Sequence, residues 1–230
     1  MSYNFKHYAI ITGSRSGSTH LCDLINSTNR LGRPDEYFNS DMRPYYEAHV
    51  FPQTKQSYID KITWFTKKDN FVVGVKLNHI NHIYSAYEEG YLDKVGYWIW
   101  LRRSDKILQA ISRYRAWTTG AWDWTLNKSE FPATLEYSSD KIKNALASII
   151  EEEKWMELFL RDKKVMEIYY ESDIVNTADQ TIHAMLEFMD VPTNDLPPLV
   201  SAQKVMRDEI NLAWKERFEN ETKGMILWRN

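Results

Sequence analysis

The chain has 230 residues and a mass of 27.3 kDa, enough for one α/β domain with a substantial core. A formal net charge of −3, a pI near 6.1 and the lack of a basic stripe interleaved with aromatics argue against nucleic acid as the main partner. The single cysteine, Cys22, excludes an intramolecular disulfide, and every apolar run falls far short of the roughly 20 residues that span a bilayer. No N-terminal stretch resembles a signal peptide, so the expected location is the cytoplasm. No repeat or low-complexity segment is visible, and residues 1–230 read as a single domain.

The first element is an apolar run, Tyr8 to Thr12, which predicts a short buried strand. It leads into a small-residue loop, Gly13-Ser14-Arg15-Ser16-Gly17-Ser18-Thr19, and a helix over 18–28. A strand turning through glycines into a helix N-terminus leaves backbone N–H groups aimed outward at the positive dipole end, which makes an anion cradle. A nucleoside triphosphatase would need GxxxxGK[ST], with lysine on the β and γ phosphates. Here the glycines are closer together, Ser18 stands where that lysine should be, and the basic residue has moved forward to Arg15.

Beyond the first helix, Gly32-Arg33-Pro34-Asp35-Glu36-Tyr37-Phe38-Asn39 combines a turn signal with an acidic pair and two aromatics. By composition the pair is a solvated loop edge. A helix over 55–68 precedes a parallel-type strand over 71–77, and Lys76 near its end points either to a ligand crevice or to solvent. After a helix over 80–89 comes a strand over 96–102 ending in Arg102-Arg103, and Ser104-Asp105 then cap a helix over 104–119 with apolar positions at Ile107, Leu108, Ile111 and Tyr114.

The loop from Thr118 to Leu135 is aromatic, with Trp117, Trp122 and Trp124 clustered at its start. Indole faces stack on sugar rings, which suits an acceptor site; packing in a core or subunit contact is the competing reading. A long helix over 139–162 and a strand over 165–170 ending at Glu171 follow. The chain closes with a helix from Thr177, where Thr177 and Gln180 are placed as a capping box, and a helix over 205–220. Strands alternating with helices imply a central parallel sheet flanked by helices on both faces. The six histidines include no HExxH, and His79 and His82 lack a third ligand, so no metal is expected.

The run Arg15-Ser16-Gly17-Ser18-Thr19 resembles the [KR]SG[ST]T phosphosulfate loop of sulfotransferases that use 3′-phosphoadenosine 5′-phosphosulfate (PAPS). Together with the GxPxE[FY]F element at Gly32–Phe38, it is most similar to the trehalose 2-sulfotransferase-like family. That resemblance implies a P-loop-like three-layer α/β fold, PAPS as cofactor with adenosine 3′,5′-bisphosphate (PAP) as product, and no metal. It places Ser14, Arg15, Ser16, Gly17, Ser18 and Thr19 on the phosphosulfate, and Arg103 and Ser112 on the 3′-phosphate. Glu36 corresponds to the general base, with Arg15 stabilising charge on the transferring group. Arg33, Lys76, Trp117 and Trp122 become candidate contacts for a carbohydrate or glycolipid acceptor.

The Tyr-Glu segment at 170–171 resembles a family signature whose acid is structural, so Glu171 is expected to be an ion-pair or capping partner. The segment 199–217 resembles the one that closes over the cofactor, which draws attention to Gln203 and Lys204. A homodimer accompanies the resemblance, and the sequence itself is silent on it. A small-molecule kinase of the P-loop class and a catalytically silent nucleotide-binding protein remain the competing functions.

Overall fold

The computed structural model describes residues 4–51, 54–67, 71–122, 135–202 and 208–223. Four strands, β1 (Lys6–Thr12), β2 (Val72–Leu77), β3 (Val95–Arg102) and β4 (Val165–Tyr169), form one parallel sheet in the order β2-β1-β3-β4. Their apolar runs suit strands covered on both faces, and every residue of β2 is buried. Parallel neighbours need crossovers. These are supplied by α1 (Ser18–Ser27), a short α2 (Arg43–Tyr45) and α3 (Tyr58–Thr66) before β2, α4 (Ile80–Glu88) before β3, and α5 (Lys106–Thr119) and α6 (Ser139–Leu160) before β4. Two more helices, α7 (Ala178–Phe188) and α8 (Glu209–Glu221), follow the last strand.

The chain divides into two compact units, Met1–Ser104 with Glu153–Ala202, and Asp105–Glu152 with Gln203–Asn230. The first contains the sheet. Tyr8 and Ile10 of β1 face one side with Ile99, Leu101 and Ile168, packed against Leu21 and Ile25 of α1 and Ile182 and Met185 of α7. Ala9 and Ile11 face the other side with Val73, Val75, Trp98 and Trp100, packed against Ile62 of α3, Ile83 of α4 and Met156 and Leu160 of α6. Each fully buried aliphatic side chain is worth about 1.5–3 kcal/mol, so a one-residue register slip in β1 would cost both cores at once. The expected three-layer α/β arrangement is therefore the observed one.

The second unit is helical. Ile107, Ile111 and Tyr114 of α5 pack on Ile142, Leu146 and Ile149 of α6 and Phe218 of α8. Arg113, only 1% exposed, is held by Glu152 through Nη1–Oε1 at 2.7 Å and Nη2–Oε2 at 2.8 Å, a two-point contact that only a planar guanidinium provides.

Three expectations change. The Thr177–Gln180 capping box does not form: the Thr177 side chain makes no cap hydrogen bond, and its hydroxyl donates backwards to the carbonyls of Ser172 and Asp173, inside a π-helical turn (Tyr170–Val175). Asp105 alone caps α5, accepting from Leu108 N at 2.9 Å. Trp117 and Trp122 do not pack a core: they are 52% and 45% exposed, and Trp124 lies outside the described residues. Among the described residues, no helix is long and apolar enough to cross a membrane.

Candidate active site

The chain leaves β1 in one direction to reach β2 and crosses to the opposite side to reach β3, so the strand order reverses at β1. Ligands of open α/β sheets bind at such a point, beyond the carboxyl ends of the strands. The loop after β1 and Arg103 after β3 both lie there, within the first unit.

In the loop, Arg15 (φ 62°) and Gly17 (φ 90°) are left-handed. At Gly17 glycine is required twice over, by φ and by space: an added Cβ would stand 2.2 Å from the Tyr170 ring. Helix α1 starts at Ser18 with no side-chain cap and no acid in its first turn, so the positive end of its dipole is left for an outside anion. Ser16 is 1% exposed and its hydroxyl has no hydrogen-bond partner among the described residues, an arrangement that costs about 1–3 kcal/mol unless a ligand oxygen meets it. These features fit a sulfate or phosphate group. Ser18 is buried, Ser14 and Arg15 are half-buried, and Thr19 is exposed.

Glu36 does not lie on a solvated edge. Its Oε1 accepts from Lys76 Nζ at 3.0 Å and Asn78 Nδ2 at 2.7 Å, and its Oε2 from Asn39 Nδ2 at 2.9 Å. The Lys76 ammonium also donates to Thr19 Oγ1 at 3.4 Å, which ties the acidic loop to the start of α1. Burial pushes the Glu36 pKa up, but the charge of Lys76 and the Asn39 amide outweigh it and hold the carboxyl below its ordinary value. Lys76 is 3% exposed, which excludes the solvated reading. Burial works against its charge, while Cys22, Glu36 and Asp35 raise its pKa well above the ordinary value. The buried Cys22 thiol is itself pushed up to about 12 by desolvation and is neutral near pH 7, so the two carboxylates are the working counter-charges.

Arg103 is aimed by Glu171, whose Oε1 accepts from Nε at 3.1 Å while its Oε2 accepts from Ser104 N at 2.8 Å. Arg103 Nη1 also donates to the Arg15 carbonyl at 3.2 Å, which joins the β3 terminus to the loop. Glu171 is thus the expected ion-pair partner. Burial raises its pKa, but the Ser104 amide and Arg103 overcome that and hold it low. Arg102 is committed elsewhere, to Glu153 at 2.8 Å and Glu167 at 2.6 Å, with its guanidinium 4.3 Å above the Trp100 ring.

Arg33 is exposed, and its carbonyl accepts from the Tyr37 phenol. Ser112, Trp117 and Trp122 belong to the second unit, where the Arg113 guanidinium lies 5.8 Å from the Trp117 ring. Gln203 and Lys204 lie outside the described residues; the preceding segment is fastened to α1 through Ser201 Oγ and Ala202 N, both 3.1 Å from Asp23 Oδ2. No group of three His, Cys, Asp or Glu is placed to hold a metal among the described residues.

Several site residues escape a reading of local pattern. Asn39 and Asn78 close on Glu36, and Tyr170 covers Gly17 with its hydroxyl 3.3 Å from His20 Nδ1. His82 is buried with Nδ1 unpartnered among the described residues, and desolvation lowers its pKa although Glu36 pulls it upward. The only sequence signal for the asparagines is an amide next to a strand end or an acidic turn, which is too common to single out.

The family model Stf0 sulphotransferase matches residues 7–83 and 91–221. A solved sulfotransferase from Alicyclobacillus acidocaldarius is similar at 13% identity, with a TM-score of 0.51, over 95% of this chain and 96% of that one. The sulfotransferase domain from the curacin biosynthetic pathway is 14% identical, with a TM-score of 0.45, over 84% of this chain and 77% of that one. A sugar kinase from a Janibacter species is 12% identical, with a TM-score of 0.42, over 82% and 96%. No curated protein matches the chain.

Proposed function

Given that the chain belongs to the Stf0 sulphotransferase family, we propose that it transfers a sulfuryl group from PAPS to a hydroxyl of a carbohydrate or glycolipid acceptor, with Glu36 as general base. The observation that carries this reading is the Lys76 bridge, whose ammonium reaches both the Glu36 carboxylate and the Thr19 hydroxyl of the anion-binding loop. It couples a base to the place where an anionic donor would lie.

The donor, when bound, supplies a sulfuryl group already activated by a phosphate leaving group. The loop amides, the α1 N-terminus, the Ser16 hydroxyl and Arg15 bind and orient its charged end, with Ser14, Gly17, Ser18 and Thr19 completing the cradle. Arg103 is assigned to the 3′-phosphate, and for Ser112 that role rests on the family resemblance alone. Glu36 accepts the proton of the acceptor hydroxyl at Oε2, the oxygen that Lys76 does not occupy. Arg15 and Lys76 offset the charge that builds on the oxygens of the transferring group. Arg33, Trp117 and Trp122 are assigned to the acceptor. No metal is assigned, since this chemistry uses fixed cations.

Both units are read as parts of one sulfotransferase domain, because the family match runs through each. A cytoplasmic homodimer completes the proposal. Kinase chemistry is disfavoured by Ser18 at the lysine position. The test is transfer of labelled sulfate from PAPS to a panel of hydroxyl compounds, with binding of PAP followed by thermal shift. Sulfated product from wild type and none from Glu36→Gln is the expected result; phosphorylation from ATP without PAP binding would establish the kinase.

A further inference from the structure

Asp35 has four ties around Glu36 and Lys76. Its Oδ1 accepts from Glu36 N at 2.8 Å. Its carbonyl accepts from Lys76 N at 2.9 Å and from Tyr37 N at 2.9 Å, which docks the acidic turn on β2 at the lysine itself. The phenol of buried Tyr46, from the π-helical turn Tyr46–Val50 after α2, hydrogen-bonds its carboxylate. One residue therefore fixes the backbones of both members of the Glu36–Lys76 pair and adds a second negative charge beside them.

We propose that Asp35 is the positioning residue of this site: it aims Glu36 through the backbone and serves as the standing counter-charge of Lys76 while Glu36 holds the acceptor's proton. In its catalytic consequence this rests on Glu36 being the base. Once protonated, Glu36 is neutral, and an ammonium that is 3% exposed would be left without an anion. Asp35 supplies one without itself contacting the reacting atoms.

The other groups facing Glu36 do not replace it. Asn39 and Asn78 are neutral, and His82 on α4 is held toward its neutral form by burial. Asp41 and His79 act on His82, and the exposed Arg33 acts on Tyr37. A negative neighbour disfavours a second anion, so Asp35 also lifts the basicity of Glu36 against the pull of Lys76.

Asp35→Asn keeps a carbonyl oxygen to accept from the Glu36 N–H but removes the charge. The experiment is a carboxyl NMR titration of glutamate-labelled full-length protein, with the Glu36 resonance assigned by its loss in Glu36→Gln. In Asp35→Asn the Glu36 midpoint is expected to fall by about one pH unit, with the acid limb of kcat/KM following it and kcat down about three- to ten-fold. An unchanged midpoint, whatever happens to activity, would reduce Asp35 to a structural residue and overturn the proposal. Tyr46→Phe provides an independent arm if Asp35→Asn does not fold: stripping the phenol donor strengthens the field of Asp35, so the Glu36 midpoint rises, and no rise contradicts the proposal. Full activity in Glu36→Gln would remove the base assignment alone, because the midpoint comparison still decides whether Asp35 tunes Glu36.

Discussion

Lys76 Nζ lies 3.0 Å from Glu36 Oε1, joining the end of β2 to an acidic turn that precedes it by some forty residues. The pair is more than a surface contact: the side chains are 4% and 21% exposed. Removing one partner of a buried pair strands the other charge, at a cost of about 3–5 kcal/mol. Lys76→Ala is therefore expected to lower the melting temperature as well as the rate. Lys76→Arg, which keeps the charge in a longer side chain, should recover stability better than activity. Thermal unfolding and transfer rates measured together check this.

Glu36→Gln should fold and retain PAP affinity, since Glu36 is assigned to the acceptor side. Loss of a positioned base lowers kcat by roughly 10²- to 10⁴-fold. Single-turnover transfer alongside a PAP thermal shift separates the two effects, and joint loss of both would count against the assignment.

The pH dependence follows from the direction of the shifts. The folded-state pKa of Glu36 is depressed, so its contribution to stability is present above the unfolded carboxylate pKa and is lost as pH falls through the folded one. Lys76 is shifted the opposite way, and its contribution is lost only as pH rises through a folded pKa above the ordinary lysine value. The acid limb of kcat/KM should accordingly lie below the ordinary glutamate pKa of about 4.3, with no alkaline limb from Lys76 at moderate pH. A limb well above the glutamate range but below the ordinary histidine value would assign the base to a different group, His82 or His20 being the candidates by position.

Gly17→Ala places a methyl group against the Tyr170 ring and forces a left-handed conformation worth roughly 1–3 kcal/mol of strain. The cradle must shift to relieve both, so PAP affinity should fall at least tenfold by calorimetry. Replacing Tyr170 in the same chain removes the clash but not the φ requirement, and rescue should be partial.

The two arginines after β3 should separate cleanly. Glu171→Gln weakens the aim of Arg103 and costs about tenfold in PAP affinity, the scale of one charged hydrogen bond. Arg102→Met disturbs the Glu153 and Glu167 contacts instead, lowering stability while leaving PAP affinity unchanged.

Much of this was legible in the chain. Apolar runs and caps locate the four strands and the helices around them, because burial on both faces of a parallel sheet imposes a local pattern. The loop at Arg15–Thr19 was legible for a similar reason: glycine and hydroxyl residues at a strand-to-helix turn leave a local signature. The surroundings of Glu36 were not. Lys76 of β2 and Asn78 just beyond it reach Glu36 from some forty residues on, and only tertiary pairing decides that Lys76 is buried and not solvated. Thr177 misled because its hydroxyl turns back to donate to the Ser172 carbonyl and does not accept from the amides at the start of α7. Trp117 and Trp122 likewise reveal their exposure only once α5 has turned its apolar face inward.

The most direct test of the account is transfer of labelled sulfate from PAPS by the wild-type chain, run beside Glu36→Gln. Sulfated hydroxyl product from wild type, falling at least a hundredfold in the variant while PAP still binds, is the predicted result. Equal turnover by both proteins, or no affinity of the wild type for PAP, would contradict it.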